Sequence, residues 1–267
     1  MSGTPHLASL LRLPIKRLLY LSFSLLTAIN AFPQNVTARE ATFPFQPGEK
    51  LTFQVKWAFI PAAEAVLEIL PPETLDGKKA YHFVMTTRTN AFADIFYKVR
   101  DRFDGYADEN MTHSLLYRKK ESGKQKRDIT VTFDWEKREA QYISLNEVRE
   151  PIPILPGSFD PLSVFYAFRL THLKEGLVLE VPVADGRKCV MGRARVIRRE
   201  TIKVRGVSYD AFFVEPDLEH VAGVFEKSPK ASVQLWVTAD AYQIPVKLKS
   251  KVVVGSFVAE LVSIEKQ

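Results

Sequence analysis

Apolar and polar residues alternate from position 51 to 57: Leu51, Phe53, Val55 and Trp57 fall on one face, Thr52, Gln54 and Lys56 on the other. A period of two predicts a strand buried on one side. The rhythm returns in AEAVLEIL and, beyond the turn signal Asp76-Gly77, in AYHFVMTTRTN, so the chain opens as an antiparallel meander of three strands. NAFADIFYKV breaks the alternation with Phe92, Ile95 and Phe96 at helical spacing, which predicts a short kink or turn before positions 99–106 alternate again. HSLLYRKKE and RDITVTFDW flank a polar hairpin tip at SGKQ, and EAQYISLN ends this run before the prolines of PIPILPGS. Strands are also predicted in LVLEVPVAD, KCVMGRARVIRRETIKV, VSYDAFFVEP, SVQLWVTAD, PVKLKSKVVV and GSFVAELVSIE, with LEHVAGVFEKSPK a loop or short helix.

One segment has a different period. In SFDPLSVFYAFRLTHL, Asp160 or Ser158 can cap a helix and Pro161 suits its first position, where a missing N–H costs nothing. Positions 162–170 are apolar most of the way round, so a helix there must be buried most of the way round. A concave sheet provides such a place. The expected fold is therefore all-β, mainly antiparallel: a curled sheet or open half-barrel with one buried apolar helix as its plug. Arg169 is the exception on that helix and is expected to snorkel or to pair with Asp160 or Asp101.

Charge and composition place the chain before they say what it does. Arg12, Lys16 and Arg17 precede an uncharged stretch at 18–32, shorter than the roughly 20 residues a spanning helix needs. This predicts a secretory signal peptide with a short lead-in over 1–38, cut after Ala31 or Ala38, then a single β-rich domain over 39–267. The expected compartment is the periplasm. Removing those three cations from the net charge of +6 leaves +3, weak support for a polyanion partner. Cys189 is the single cysteine, so no internal disulfide is available and the core alone must hold the fold. Arg193, Arg195, Arg198, Arg199, Lys203 and Arg205 form a basic stripe without interleaved aromatics, which reads as the wet face of a sheet and not as a nucleic-acid surface. Lys247, Lys249 and Lys251 on one strand face argue against a membrane β-barrel, and no membrane span is expected after signal cleavage.

Catalytic signals are missing. His82, His113, His172 and His220 lack metal-ligand spacing, no HExxH, GxSxG or P-loop occurs, and neither catalytic residues, metal nor cofactor are assigned. Asp101 and Asp104 in RDRFDGY point to opposite faces of one strand and cannot form a dyad. The candidate site is instead apolar: Trp57, Phe59, Phe92, Phe96, Tyr97, Phe165 and Phe168 could line one cavity, with Asp101 and Arg169 as polar anchors or structural ions.

PGEKLTFQVKWAFIPAAEAVLEI, KVRDRFDGYAD, FDPLSVFYAFR and YQIPVKLKSKVVVGSFVAEL, taken in order, resemble the exported bacterial family DUF3108 over roughly residues 43 to 265. The resemblance implies an all-β, half-barrel-like periplasmic protein, reminiscent of carriers that hold acyl chains in an open barrel, and it implies no activity. The expectation is a non-enzymatic protein that binds an amphipathic, lipid-like molecule or an envelope component, with plug displacement exposing the interior. The alternatives are a scaffold protein with a filled core and a glycan or peptide hydrolase.

Overall fold

The computed structural model describes residues 43–122, 126–145, 147–217, 232–252 and 255–266. The expected signal peptide, residues 123–125 of the SGKQ tip, His220 and the expected loop or helix at 218–230 lie outside them.

Strands β1 (Lys50–Trp57), β2 (Ile60–Leu75) and β3 (Lys78–Thr89) form the opening meander, and a one-turn helix α1 (Ala91–Asp94) leads into β4 (Arg100–Asp108). There follow β5 (Ser114–Glu121), β6 (Arg127–Asp134), β7 (Glu139–Ser144), and the short β8 (Glu147–Val148) and β9 (Ile152–Pro153). Helix α2 (Ser163–Phe168) separates these from β10 (Val178–Ala184), β11 (Cys189–Val204), β12 (Val207–Pro216), β13 (Ser232–Thr238), β14 (Pro245–Val252) and β15 (Gly255–Glu265).

All fifteen strands join one sheet, in the order β10 to β15, then β1 to β8, with β9 beside β7. Every pairing between named strands is antiparallel. Among the described residues β10 and β8 are not paired with each other, so the sheet is open. β2 is longer than its apolar run suggests. It continues through Pro71 and Pro72, which fall where its pairing with β3 slips between Leu70 and Glu73. A slip accommodates residues without an amide N–H.

The sheet curls back on itself. Gly186 in the β10–β11 turn lies so close to β6 and β7 that a Cβ there would be 2.8 Å from Val131 Cγ2 and 3.1 Å from Tyr142 Cβ. The neighbouring Arg187 donates to the Tyr142 hydroxyl at 2.9 Å. The segment between β9 and β10 crosses from one edge strand to the other, and Phe159 bridges to Val183 of β10. It carries α2.

The helix sits over a row of facing residues, Phe83, Gly105, Tyr117, Val131 and Tyr142, which run across five adjacent strands. Tyr166 stacks on Phe83 with ring centroids 3.9 Å apart, and Phe45 meets both rings edge-on. Leu162 and Tyr166 join the cluster formed with Ile69, Val131 and Phe159, while Phe168 and Leu173 join a second one with Val196, Phe212, Val214 and Val237. Burying side chains of this size contributes on the order of 1.5–3 kcal/mol each. The regular helix is shorter than the apolar run, with turns at 161–162 and 169–170. Asp160 caps it as expected, its Oδ1 accepting the amides of Leu162 at 2.8 Å and Ser163 at 2.9 Å.

Candidate functional site: an exposed aromatic rim

At one end of the sheet, two connections stand side by side: the β1–β2 turn and the 90–99 loop that contains α1. Asn90 ties them together. Its amide donates to Ala62 O at 2.9 Å, its Nδ2 donates to Pro61 O at 2.7 Å, and its Oδ1 accepts from the Ala93 amide at 2.9 Å. Thr89 closes the loop by bonding Val99 in both directions. Asp94 is gripped by Arg100 at 2.6 Å and by the Thr89 hydroxyl. The Arg100 and Thr89 hydrogen bonds hold the Asp94 carboxyl below its ordinary pKa.

These loops are inverted. Asp94, Arg100 and Thr89 pair with one another and Asn90 bonds loop backbone, while the large apolar side chains face solvent. Phe59 is 83% exposed, Ile95 77%, Phe96 64% and Tyr97 48%. Trp57, Ile60 and Phe92 are also exposed, and Phe92 meets Phe96 edge-on at 5.5 Å. Ala58 takes a left-handed backbone (φ 55°), unusual for a residue with a Cβ, and this turn presents Phe59 outward. Gly255 at the start of β15 has φ +125°, and a Cβ on it would come within 2.6 Å of the Trp57 indole nitrogen. Apolar side chains exposed close together in this way are uncommon on protein surfaces.

Five of the expected site residues therefore gather on this rim: Trp57, Phe59, Phe92, Phe96 and Tyr97. They project outward and do not line an interior. Phe165 and Phe168 are not with them, and each packs against a different cluster beside α2. Ile60 and Ile95 also belong to the rim, beyond the residues expected there. The signal available was the density of large apolar residues across two loops, IP and NAFADIFY.

Both expected polar anchors have structural partners. Asp101 accepts the Ser122 amide at 2.8 Å, pinning the end of β5 to β4. Arg169 pairs with neither Asp160 nor Asp101. It is wholly buried against Glu49, with Nη1–Oε1 at 2.5 Å and Nη2–Oε2 at 3.1 Å, and it also donates to Tyr242 O and Pro44 O. Its guanidinium lies over the rings of Phe45 and Tyr166. Asp160 is committed to the helix cap and to the Ser114 hydroxyl, and Glu49 comes from the lead-in to β1, which has no periodic signature.

The opposite face of β3 and β4 carries a second polar group. His82 is buried between Glu73, 2.7 Å from Nδ1, and Asp104, 2.8 Å from Nε2, and it stacks on Tyr106. Arg102 grips Asp104 through both Nε and Nη2. Burial pushes the Asp104 carboxyl up, but the His82 and Arg102 hydrogen bonds and the Arg102 charge outweigh it and bring the pKa down to about 2. Hydrogen bonds thus join His82, Asp104 and Arg102. Among the described residues no cluster of His, Cys, Asp or Glu has the arrangement of a metal site.

The family model for DUF3108, a protein of unknown function, matches residues 52–262. The chain belongs to the DUF3108 family. No curated protein matches it. The fold is similar to that of a β-barrel-like protein of the DUF1849 domain from Brucella abortus, at 8% identity over 82% of this chain and 97% of that one, with a TM-score of 0.49. A candidate lipoprotein from Parabacteroides distasonis covers 83% of this chain and 97% of its own at 8% identity and a TM-score of 0.33. A protein with a YmcC-like fold from Bacteroides fragilis covers 84% and 98% at 9% identity and a TM-score of 0.31. In this DUF3108 protein no described helix is long and apolar enough to cross a membrane.

Proposed function

We propose that this DUF3108 protein is a non-enzymatic protein of the bacterial envelope that binds an amphipathic, lipid-like molecule through its aromatic rim. One observation carries the reading. Phe59, Ile95 and Phe96 are held out into solvent by loops that Asn90 ties together and the Arg100–Asp94 pair closes. Exposing such side chains is unfavourable by about 25 cal/mol per Å² of apolar surface, so the arrangement suits a site covered in use. The basic, uncharged and small-residue order of positions 12–38 supports delivery to the envelope.

The interior is a poorer candidate for the site. Opening it would separate Arg169 from Glu49 and break the two hydrogen bonds between them. That tether and the stacking of Tyr166 on Phe83 favour the scaffold protein as the second reading.

The test is a titration of the purified protein with a lysophospholipid kept below its micelle concentration, followed by tryptophan emission. Saturable binding that weakens by at least about tenfold in Phe59→Ser and Phe96→Ser is expected, the loss of roughly one buried aromatic contact each. Absence of saturable binding contradicts the reading and leaves the scaffold.

A further inference from the structure

We propose that the rim is a membrane-docking edge, whose tips enter the headgroup region of an anionic lipid leaflet. The inference rests on the lipid-binding reading above and extends its ligand from a single lipid to a lipid surface.

Shape is the first reason. A lone acyl chain is best enclosed by a concave pocket. The rim side chains are projections, and projections match a deformable apolar phase that closes around them.

Residue type follows exposure. Phe59, Ile95 and Phe96 are the most exposed, so they form the tips, while Trp57 and Tyr97 are about half covered. Tryptophan and tyrosine favour the headgroup level, with their polar atoms toward water and their rings toward the acyl chains.

Much of the loop backbone is already paired within the protein. Polar backbone groups entering an apolar phase need partners within the protein. Here the amides of Asp94, Phe96 and Tyr97 donate to carbonyls within the loop, and those of Ala58 and Val99 donate to Ser256 O and Thr89 Oγ1.

Charge indicates which lipid. The two connections, at 56–61 and 90–100, contain the cations Lys56, Lys98 and Arg100 and the carboxylate Asp94; Lys56 pairs with Glu260 at 2.7 Å and Arg100 with Asp94 at 2.6 Å, which leaves the positive charge of Lys98. A cation beside apolar tips is complementary to phosphate headgroups on an anionic leaflet.

The experiment is flotation of the purified protein with mixed phosphatidylglycerol–phosphatidylethanolamine vesicles and, separately, with phosphatidylcholine vesicles. The expected result is binding to the anionic vesicles that weakens with salt. Phe59→Ser/Phe96→Ser should lose at least about tenfold in affinity while keeping the thermal unfolding of the parent protein, because both residues are exposed. Lys98→Glu should lose about fivefold on anionic vesicles and little on phosphatidylcholine. No flotation with either vesicle, while the monomeric lysophospholipid still binds in a rim-dependent way, overturns the membrane inference and leaves the lipid-binding reading intact. Failure of both assays removes both. Flotation that ignores the rim substitutions overturns the inference, as does rim crosslinking to one protein partner without vesicle binding.

Discussion

The guanidinium of Arg169, at the end of the only helix over the sheet interior among the described residues, is paired with the carboxylate of Glu49, which precedes the first strand. The contact joins positions 120 residues apart in the chain, and both side chains are buried. Removing one partner strands a buried charge. Arg169→Met and Glu49→Gln should each lose about 3–5 kcal/mol in denaturant unfolding, and Arg169→Met/Glu49→Met should recover a large part of it. Equal losses in the single and double variants would show that the packing of the arginine stem matters and the pair does not.

Gly105 in β4 marks where the helix lands. A Cβ there would lie 2.8 Å from Ser163 Oγ and 3.0 Å from Asp160 Oδ1. Gly105→Ala should destabilise by about 1–3 kcal/mol through this overlap. Adding Ser163→Ala should return part of the loss, measured as the coupling in a double-variant cycle.

Acid should weaken the protein through Asp104. Its pKa is about 2 in the fold against an ordinary 3.8. The folded state therefore favours the ionised carboxylate, and the stability it provides is complete above the ordinary value and lost as pH falls toward 2. The span corresponds to roughly 2 kcal/mol. Asp104→Asn should flatten that acid limb in unfolding measured across the same range. Asp160 acts with the opposite sign, because burial raises its pKa above 3.8. Its contribution is present below the ordinary value and declines as pH rises, so Asp160→Asn should steepen the net acid loss.

The curl of the sheet should depend on Gly186. Its φ of +79° and its closeness to Val131 leave no room for a Cβ. Gly186→Ala should lift the β10–β11 turn from β6 and β7, seen as faster amide exchange in β10 with exchange in β2 and β3 unchanged.

The sheet was legible in the sequence because a period of two survives wherever one face is buried. Leu51 and Phe53 are buried beside less buried neighbours, as their alternation demands. Asp76-Gly77 marked the β2–β3 turn by its backbone chemistry. The apolar helix was legible for the same kind of reason, and Pro161 narrowed its cap to Asp160 or Ser158, of which Asp160 accepts the helix amides. Pairings that join distant segments left no such trace. Nothing periodic links Glu49 to Arg169 or His82 to Asp104, and only the register of β3 against β4 brings the latter two together. The aromatic site was half legible. The residues in 57–59 and 92–97 stood out by type, but exposure is decided by loop geometry, and composition alone made Phe165 and Phe168 look like members of the same set.

The most direct measurement of the account is which end of the molecule meets the lipid. The end of β2 at Asp76 lies across a 16-residue strand from the rim, roughly 50 Å away. With Cys189→Ser as background, Phe59→Cys and Asp76→Cys can each carry one environment-sensitive fluorophore. The Phe59→Cys probe should shift to the blue on phosphatidylglycerol vesicles and the Asp76→Cys probe should stay as it is in buffer. Equal shifts at both ends, or a shift confined to the Asp76→Cys probe, would contradict docking through the rim.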